Sequence, residues 1–408
     1  MLLRNLIVLT ISSTIFHQSN SFTPIKLFQR PTKILPNVAL NESTTEEPLP
    51  PSPPPRTIAV TGATGRTGRL VVSELLQTTN HNVIAIVRDE TKAKDIFDEL
   101  KINTENNNNR LTIQTCDLLN VDEINNMISS TNTNQVIWCS TGFSNNPNAS
   151  PIAKFRLIWN AVVNKGENTI DYVGLTTLAN AINKNGSSIN GPNVIMLSSA
   201  AVTRPSWSEE KKERFAGCAD IPIVRLNPFN ILNIKATSEE KLRTYYSGSD
   251  ASYTIVRPTG LKDGNDWPCG SMNARPILSQ GDVAAGRIHR SDVASLLVSC
   301  IDEPNVKGKT FEVFTIGGYP SPTKGGLSSL FQSLRTDVDI EENGFGVDDC
   351  RLQATYYAMQ QLLPGETQDA AALAMGQTYE ELDEGKVGRL GVRGEEQAES
   401  VAPQPSPV

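Results

Sequence analysis

The sequence predicts an α/β fold, a doubly wound parallel sheet with helices on both faces. Three observations predict it. Short apolar runs rich in β-branched residues recur along the chain and close on small polar residues. Segments with apolar residues at helical spacing separate them. The first strand-to-helix junction, "TIAVTGATGRTGRL" at residues 57–70, holds three glycines at three-residue steps.

The elements follow in order. "TIAV" is a short strand, and "RLVVSELLQ" sets Leu70, Val71, Leu75 and Leu76 at helical spacing. "VIAIV" (83–87) is apolar throughout, as a parallel strand covered on both faces must be. After the polar loop "NTENNNN", further strands are "LTIQTCD" (111–117), "QVIWCSTG" (135–142), "VIMLSSA" (194–200) and "YTIVRPTGL" (253–261). Helical patterns lie between, among them "IKATSEEKLRTYY". The predicted domain spans residues 57–330. Beyond it the texture changes: residues 341–408 contain thirteen Asp or Glu and four Lys or Arg, and end in "APQPSPV". Residues 331–408 therefore read as an acidic, partly helical C-terminal extension with a disordered tail. Its two helical candidates are "RLQATYYAMQQLL" and "QDAAALAMGQTYEELDEG".

The 408 residues, 38% of them hydrophobic, are enough for one large core or two domains. A net charge of −7 argues against non-specific nucleic-acid binding, which rests on a basic surface. The three histidines and six cysteines show no metal-ligand spacing and no C-x-x-C pair, so no metal site is expected. The N-terminus differs in kind. Residues 1–21, "MLLRNLIVLTISSTIFHQSNS", have Arg4, an apolar stretch of secretory-signal length and a small-residue close at Ser19 and Ser21. The stretch is too short for a good membrane span, and no transmembrane helix is expected in the mature chain. Residues 22–56 begin with Phe22, carry Lys26, Arg30 and Lys33 before the first acid, and end in the proline-rich spacer "PLPPSPPP". This two-part leader resembles the presequences of algae with secondary plastids. The resemblance implies plastid import, a signal peptide followed by a transit peptide and linker. Secretion is the alternative, kept alive by Asn-x-Ser sites at Asn41, Asn148 and Asn185.

The glycines point to a ligand. A chain that turns from strand to helix beside a diphosphate needs positive φ and no Cβ in the way. The helix start then offers free N–H groups to the phosphates. Gly62, Thr64, Gly65, Arg66, Thr67 and Gly68 are the candidate contacts; the plain alternative is a tight turn with no ligand. Strand two ends in "VRDE", with Arg88 as its first polar residue, twenty positions after Gly68. A guanidinium there matches the 2′-phosphate of NADP by charge and shape. NADP(H) is the preferred cofactor, and Asp89 leaves NAD(H) open.

"TGATGRTG", "VRD", the Asp of "TCDL", "CSTG", "LSSA" and "YTIVRPTGL" together resemble the atypical short-chain dehydrogenase/reductases of the NAD(P)H-binding, NmrA-like type. "GRIHRSDVASLLVSCIDEPNVKGKTFEV" (286–313) resembles the same family's segment after that last strand. The resemblance covers roughly residues 57–315 and implies a Rossmann-like domain. It also implies that Asp117 and Leu118 flank the adenine, and that Ser140, Thr141 and Gly142 line the cofactor cleft. Ordinary strand-end and helix-capping roles are compatible with those contacts.

Typical members of that superfamily reduce carbonyls with Tyr-x-x-x-Lys on one helix face, assisted by Ser. Here Lys235 stands at the lysine place, and the residue four earlier is Ile231. Tyr245 and Tyr246 lie ten and eleven residues on, about 15 Å along a helix, and cannot substitute. Ser199 and Lys235 remain as the catalytic candidates, with Ser198 a polar partner of the cofactor. The sequence thus supports two functions. One is a weakly or non-catalytic NADP(H)-binding protein of the plastid, a redox-responsive scaffold or assembly factor with protein partners. The other is an NADPH-dependent reductase of a small plastid metabolite.

Overall fold

β-branched and aliphatic residues dominate the strands because both faces of the sheet are covered. The computed structural model describes residues 54–100, 110–141, 169–184, 189–219, 221–227, 230–247, 252–264, 274–317, 326–344 and 349–362. Residues 1–53 of the leader, the second helical candidate of the extension and Gly142 lie outside them.

The first half alternates strand and helix: β1 (Thr57–Thr61), α1 (Gly68–Thr78), β2 (Asn82–Val87), α2 (Glu90–Glu99), β3 (Leu111–Thr115), α3 (Val121–Thr131) and β4 (Gln135–Trp138). A π-helical turn, Ile170–Gly174, runs into α4 (Leu175–Lys184) and then β5 (Val194–Leu197). Three short helices follow, α5 (Glu209–Arg214), α6 (Ala216–Ala219) and α7 (Pro222–Leu226), before the long α8 (Ile231–Tyr246). Next come β6 (Tyr253–Pro258), β7 (Gly260–Lys262), β8 (Ala274–Ser279), β9 (Arg287–His289), α9 (Arg290–Ser299) and β10 (Lys309–Gly317). α10 (Gly326–Ser333), α11 (Asp337–Asn343) and α12 (Cys350–Leu362) close the described chain.

The main sheet has eight strands in the order β3-β2-β1-β4-β5-β6-β10-β8, all neighbours parallel except the antiparallel β10–β8 edge. β7 and β9 form a separate parallel pair. All six strands expected from sequence are present. Alternate residues of β1 feed opposite cores: Ile58 and Val60 pack with α1, α2 and α9, and Ala59 with α3, α4 and α8. The strand order reverses between β1 and β4, the place where an open α/β sheet leaves a crevice for ligands.

Two anchors define the ends of this unit. At the start, the Arg56 N–H donates to His81 Nδ1 at 3.2 Å, and His81 Nε2 lies 3.1 Å from Asp302 Oδ2. The Arg56 guanidinium also binds Asp302, Gln135 and the Ile301 carbonyl. At the far end, Phe331 of α10 is buried against Phe311, with ring centroids 5.8 Å apart. Asp337 of α11 accepts hydrogen bonds from Thr310 N at 2.8 Å, Tyr253 Oη at 2.9 Å and Arg243 Nε at 3.1 Å. Leu352 of α12 is buried among Trp207, Phe215, Cys218 and Val283. Residues 326–344 and 349–356 thus pack on the sheet and on the lobe after β5.

Candidate functional site

The glycine turn is built against the end of β4. Thr61 Oγ1 accepts from the Cys139 and Ser140 N–H groups at 3.1 and 3.3 Å, tying the ends of β1 and β4 together. Gly62 has φ +62°, and a Cβ on it would lie 2.8 Å from the Cys139 carbonyl oxygen. A Cβ on Gly68 would lie 2.1 Å from the Gly62 oxygen, so only glycine lets α1 start this close to β1. The Gly65 N–H donates to Gly62 O at 2.8 Å and closes the turn. Thr64 is half-buried, Arg66 exposed and Thr67 buried. The Thr67 side chain makes no capping hydrogen bond, and no acid stands in the first turn of α1. An uncapped helix start above a Cβ-free turn is a donor set and a cradle that fit a dinucleotide diphosphate.

Sheet order brings the other predicted cofactor residues to the same edge. Arg88 is exposed immediately after β2. Asp89 instead caps α2, accepting from Lys92 N at 3.0 Å. Asp117, after β3, is exposed and accepts from Leu119 N at 3.0 Å, while its own N–H donates to Glu123. Leu118 is buried, and its carbonyl packs against Gly174, where a Cβ would lie 2.6 Å away. Ser140 is half-buried and Thr141 exposed beyond β4.

The residues expected to do chemistry are tied to neighbours. Ser198, at the end of β5, donates to Glu239 Oε1 at 2.6 Å. Glu239 also takes Arg257 at 3.0 and 2.5 Å and Arg243 at 3.0 Å. Burial alone would raise this carboxyl; Arg257, Arg243 and Ser198 outweigh it and hold it below its usual range. Ser199 is half-buried and donates to the Ala200 carbonyl at 3.0 Å. Lys235 is buried with Nζ 3.7 Å from Oδ1 of Asp171, a fully buried residue of the π-helical turn. Ile231, the first residue of α8, packs beside Ala201, Val202 and Leu232. Tyr245 and Tyr246 face α4, through Asn180 Oδ1 at 3.0 Å and the Ala179 carbonyl at 3.4 Å.

Asp171 escaped the sequence reading. Its signal was one acid in the apolar run "TIDYVGLTTL". π turns recur at functional sites, and this one sets a carboxylate beside Lys235.

Past Ser199 the chain enters a lobe pinned by buried charge. Ala201 sits at φ +78°, a conformation an L-residue avoids. Its N–H donates to Asp282 Oδ1 at 2.6 Å, and Thr203 N donates to Oδ2 at 2.8 Å. Arg204 donates to the carbonyls of Asp282, Cys218 and Ala284 at 2.9, 2.6 and 2.5 Å. Beside them Glu312 is fully buried, 3.5 Å from an Arg257 nitrogen. Burial and then Asp282 push its carboxyl up to about 8. Burial also pushes the thiols at the strand ends up, Cys139 to about 12 and Cys116 to about 11, so neither is a thiolate at neutral pH. Among the described residues no cluster of three or more His, Cys, Asp or Glu could hold a metal ion, and no helix is long and apolar enough to cross a membrane.

A family profile described as NAD(P)H-binding matches residues 62–304, from the first glycine of the turn to just past α9. The chain belongs to this NAD(P)H-binding family. An uncharacterized chloroplastic protein of Arabidopsis thaliana is 26% identical over 325 residues, covering 79% of this chain and 96% of the relative. A solved Bacillus halodurans protein of the NAD-dependent epimerase/dehydratase type is 21% identical, with TM-score 0.45, covering 68% of this chain and all of that one (100%). A short-chain dehydrogenase/reductase from Veillonella parvula, solved in complex with NADP, is 15% identical, with TM-score 0.41, covering 66% and 99%. Membership of the NAD(P)H-binding family makes this mostly parallel α/β sheet a dinucleotide-binding domain.

Proposed function

We propose that this protein binds NADP(H) in the plastid and acts through cofactor occupancy, as a redox-responsive scaffold or assembly factor with slow or absent turnover. The observation behind this reading is the state of the polar groups on the reactive side. Ile231 replaces the proton-donating tyrosine, Lys235 is paired with Asp171, and Ser198 is given to Glu239. Carbonyl reduction needs a proton as well as a hydride, and general acid catalysis contributes typically about 10²–10⁴-fold. The preference for NADP(H) is supported by Arg88, which is exposed, while Asp89 is committed to capping α2. The two-part leader and the chloroplastic relative support the plastid. Burial raises the Cys116 and Cys139 thiols, which favours the cofactor over these cysteines as the redox-responsive group.

The test combines two measurements on the mature chain. One is NADPH oxidation across aldehydes, ketones, quinones and plastid metabolites. The other is affinity capture from plastid extract with and without NADPH. Tight NADPH binding, little turnover and a partner whose capture depends on NADPH are expected. Robust turnover of one metabolite would establish the second reading, an NADPH-dependent reductase. That reading draws on Ser199, half-buried at the end of β5 where the lobe of residues 199–227 begins.

A further inference from the structure

Asp263, the residue after β7, receives two arginines on one carboxylate oxygen. Arg290, the first residue of α9, is buried and contacts Oδ2 closely. Arg66, from the middle of the glycine turn, reaches the same oxygen at 3.4 Å. That is longer than the about 2.7–2.9 Å of a strong charge-assisted bond. The Arg66 and Asp263 side chains are 47% and 49% exposed, against 4% for Arg290. Arg290 is therefore the anchor of this junction. Arg66 is its looser arm, open to solvent at the mouth of the turn.

We propose that Asp263 is a built-in competitor of the cofactor's phosphates: it holds Arg66 in an ion pair and yields it when a dinucleotide enters the glycine turn. The inference rests on the reading of that turn as an NADP(H) site. A guanidinium takes carboxylate and phosphate with the same fork of donors, so the exchange is a change of partner with no covalent step. Asp263 stays behind on Arg290, which keeps its charge paired. The competitor weakens binding and lets occupancy follow cofactor concentration, the property a cofactor-reporting protein needs.

Asp263→Asn in the full mature chain tests this, with NADPH, NADH and inorganic pyrophosphate titrated by calorimetry. At an ionic strength of about 0.01 M the variant should bind NADPH about two- to fivefold more tightly, the worth of one exposed ion pair. The gain should nearly vanish at about 1 M, where the Debye length is about 3 Å. It should also vanish in an Arg66→Gln background. Should Asp263→Asn fail to fold, with buried Arg290 left alone, the native chain still decides. On adding NADPH the Arg66 Nε–H NMR resonance should move and that of Arg290 should stay. Unchanged or weaker binding in a folded variant, a gain that survives Arg66→Gln, or an unmoved Arg66 signal would each overturn the proposal. Absence of NADPH binding by the native chain would instead remove the cofactor reading on which it stands.

Discussion

Arg257 and Glu239 meet side by side in the interior, Nε to Oε1 at 3.0 Å and Nη2 to Oε2 at 2.5 Å, both side chains buried. Breaking a buried pair by removing one member costs about 3–5 kcal/mol, because the other charge is left in low dielectric. Arg257→Met should therefore lower unfolding free energy by about 3 kcal/mol in urea titrations, the lower end of that range because Arg243 remains on Glu239. Ser198→Ala removes one hydrogen bond to a charged group and should cost about 1.5–3 kcal/mol. A loss of NADPH affinity larger than this loss of stability would show that Ser198 also serves the cofactor.

Glu312 makes stability depend on pH in an unusual direction. Its folded carboxyl is raised from 4.5 to about 8 by burial first and Asp282 second, against the pull of Arg257 and Arg204. Between those values the folded protein keeps a proton that the unfolded chain has released. Its contribution is therefore fully present below pH 4.5 and lost as pH rises to about 8. The limiting slope is about 1.4 kcal/mol per pH unit. Glu312→Gln should flatten this fall and be more stable than the native chain above pH 8, as read from urea midpoints across pH. A native protein whose stability rises through that window would refute the assignment.

Arg88→Ala should weaken NADPH by about 1.5–3 kcal/mol, the worth of a hydrogen bond to a charged group, and leave NADH nearly unchanged. Parallel calorimetric titrations read the difference. Equal losses for both dinucleotides would show that Arg88 does not read the 2′-phosphate.

Leu352→Ala should cost about 2–5 kcal/mol, as for other buried leucines. Removal of the last dozen residues, whose composition marks a disordered tail, should leave the melting temperature unchanged. The two together separate the packed part of the acidic segment from the residues C-terminal to it. Deleting everything from Glu341 would remove the Leu352 side chain from its seat among Trp207, Phe215 and Val283 and confuse partner loss with unfolding.

The parallel strands were legible because their residues, "VIAIV" above all, are apolar on both faces and suit no exposed surface. The glycine turn was legible because Gly62 and Gly68 answer a local steric demand that no other residue meets. The hidden features depend on contacts between distant parts of the chain. Glu239 lies in the charged run "SEEKLR" of a helical pattern, and only the meeting of α8 with β6 buries it against Arg257. Asp171 and Lys235 pair across two helices, with no sequence period to announce it. The acidic composition after residue 341 outweighed single apolar anchors such as Leu352, which composition cannot weigh.

The Arg56 anchor gives the molecule a direction of mechanical strength. Tension drawn through the N-terminal segment arrives at Arg56 and then along β1, an inner strand held by β2 on one side and β4 on the other. Both ladders are loaded in shear, so their hydrogen bonds must fail together. Tension through the C-terminal end meets α12, α11 and α10 in turn, which can peel away one at a time. A machine that unravels this chain from its front would stall on the centre of the sheet, and one that starts from the back would begin with helices.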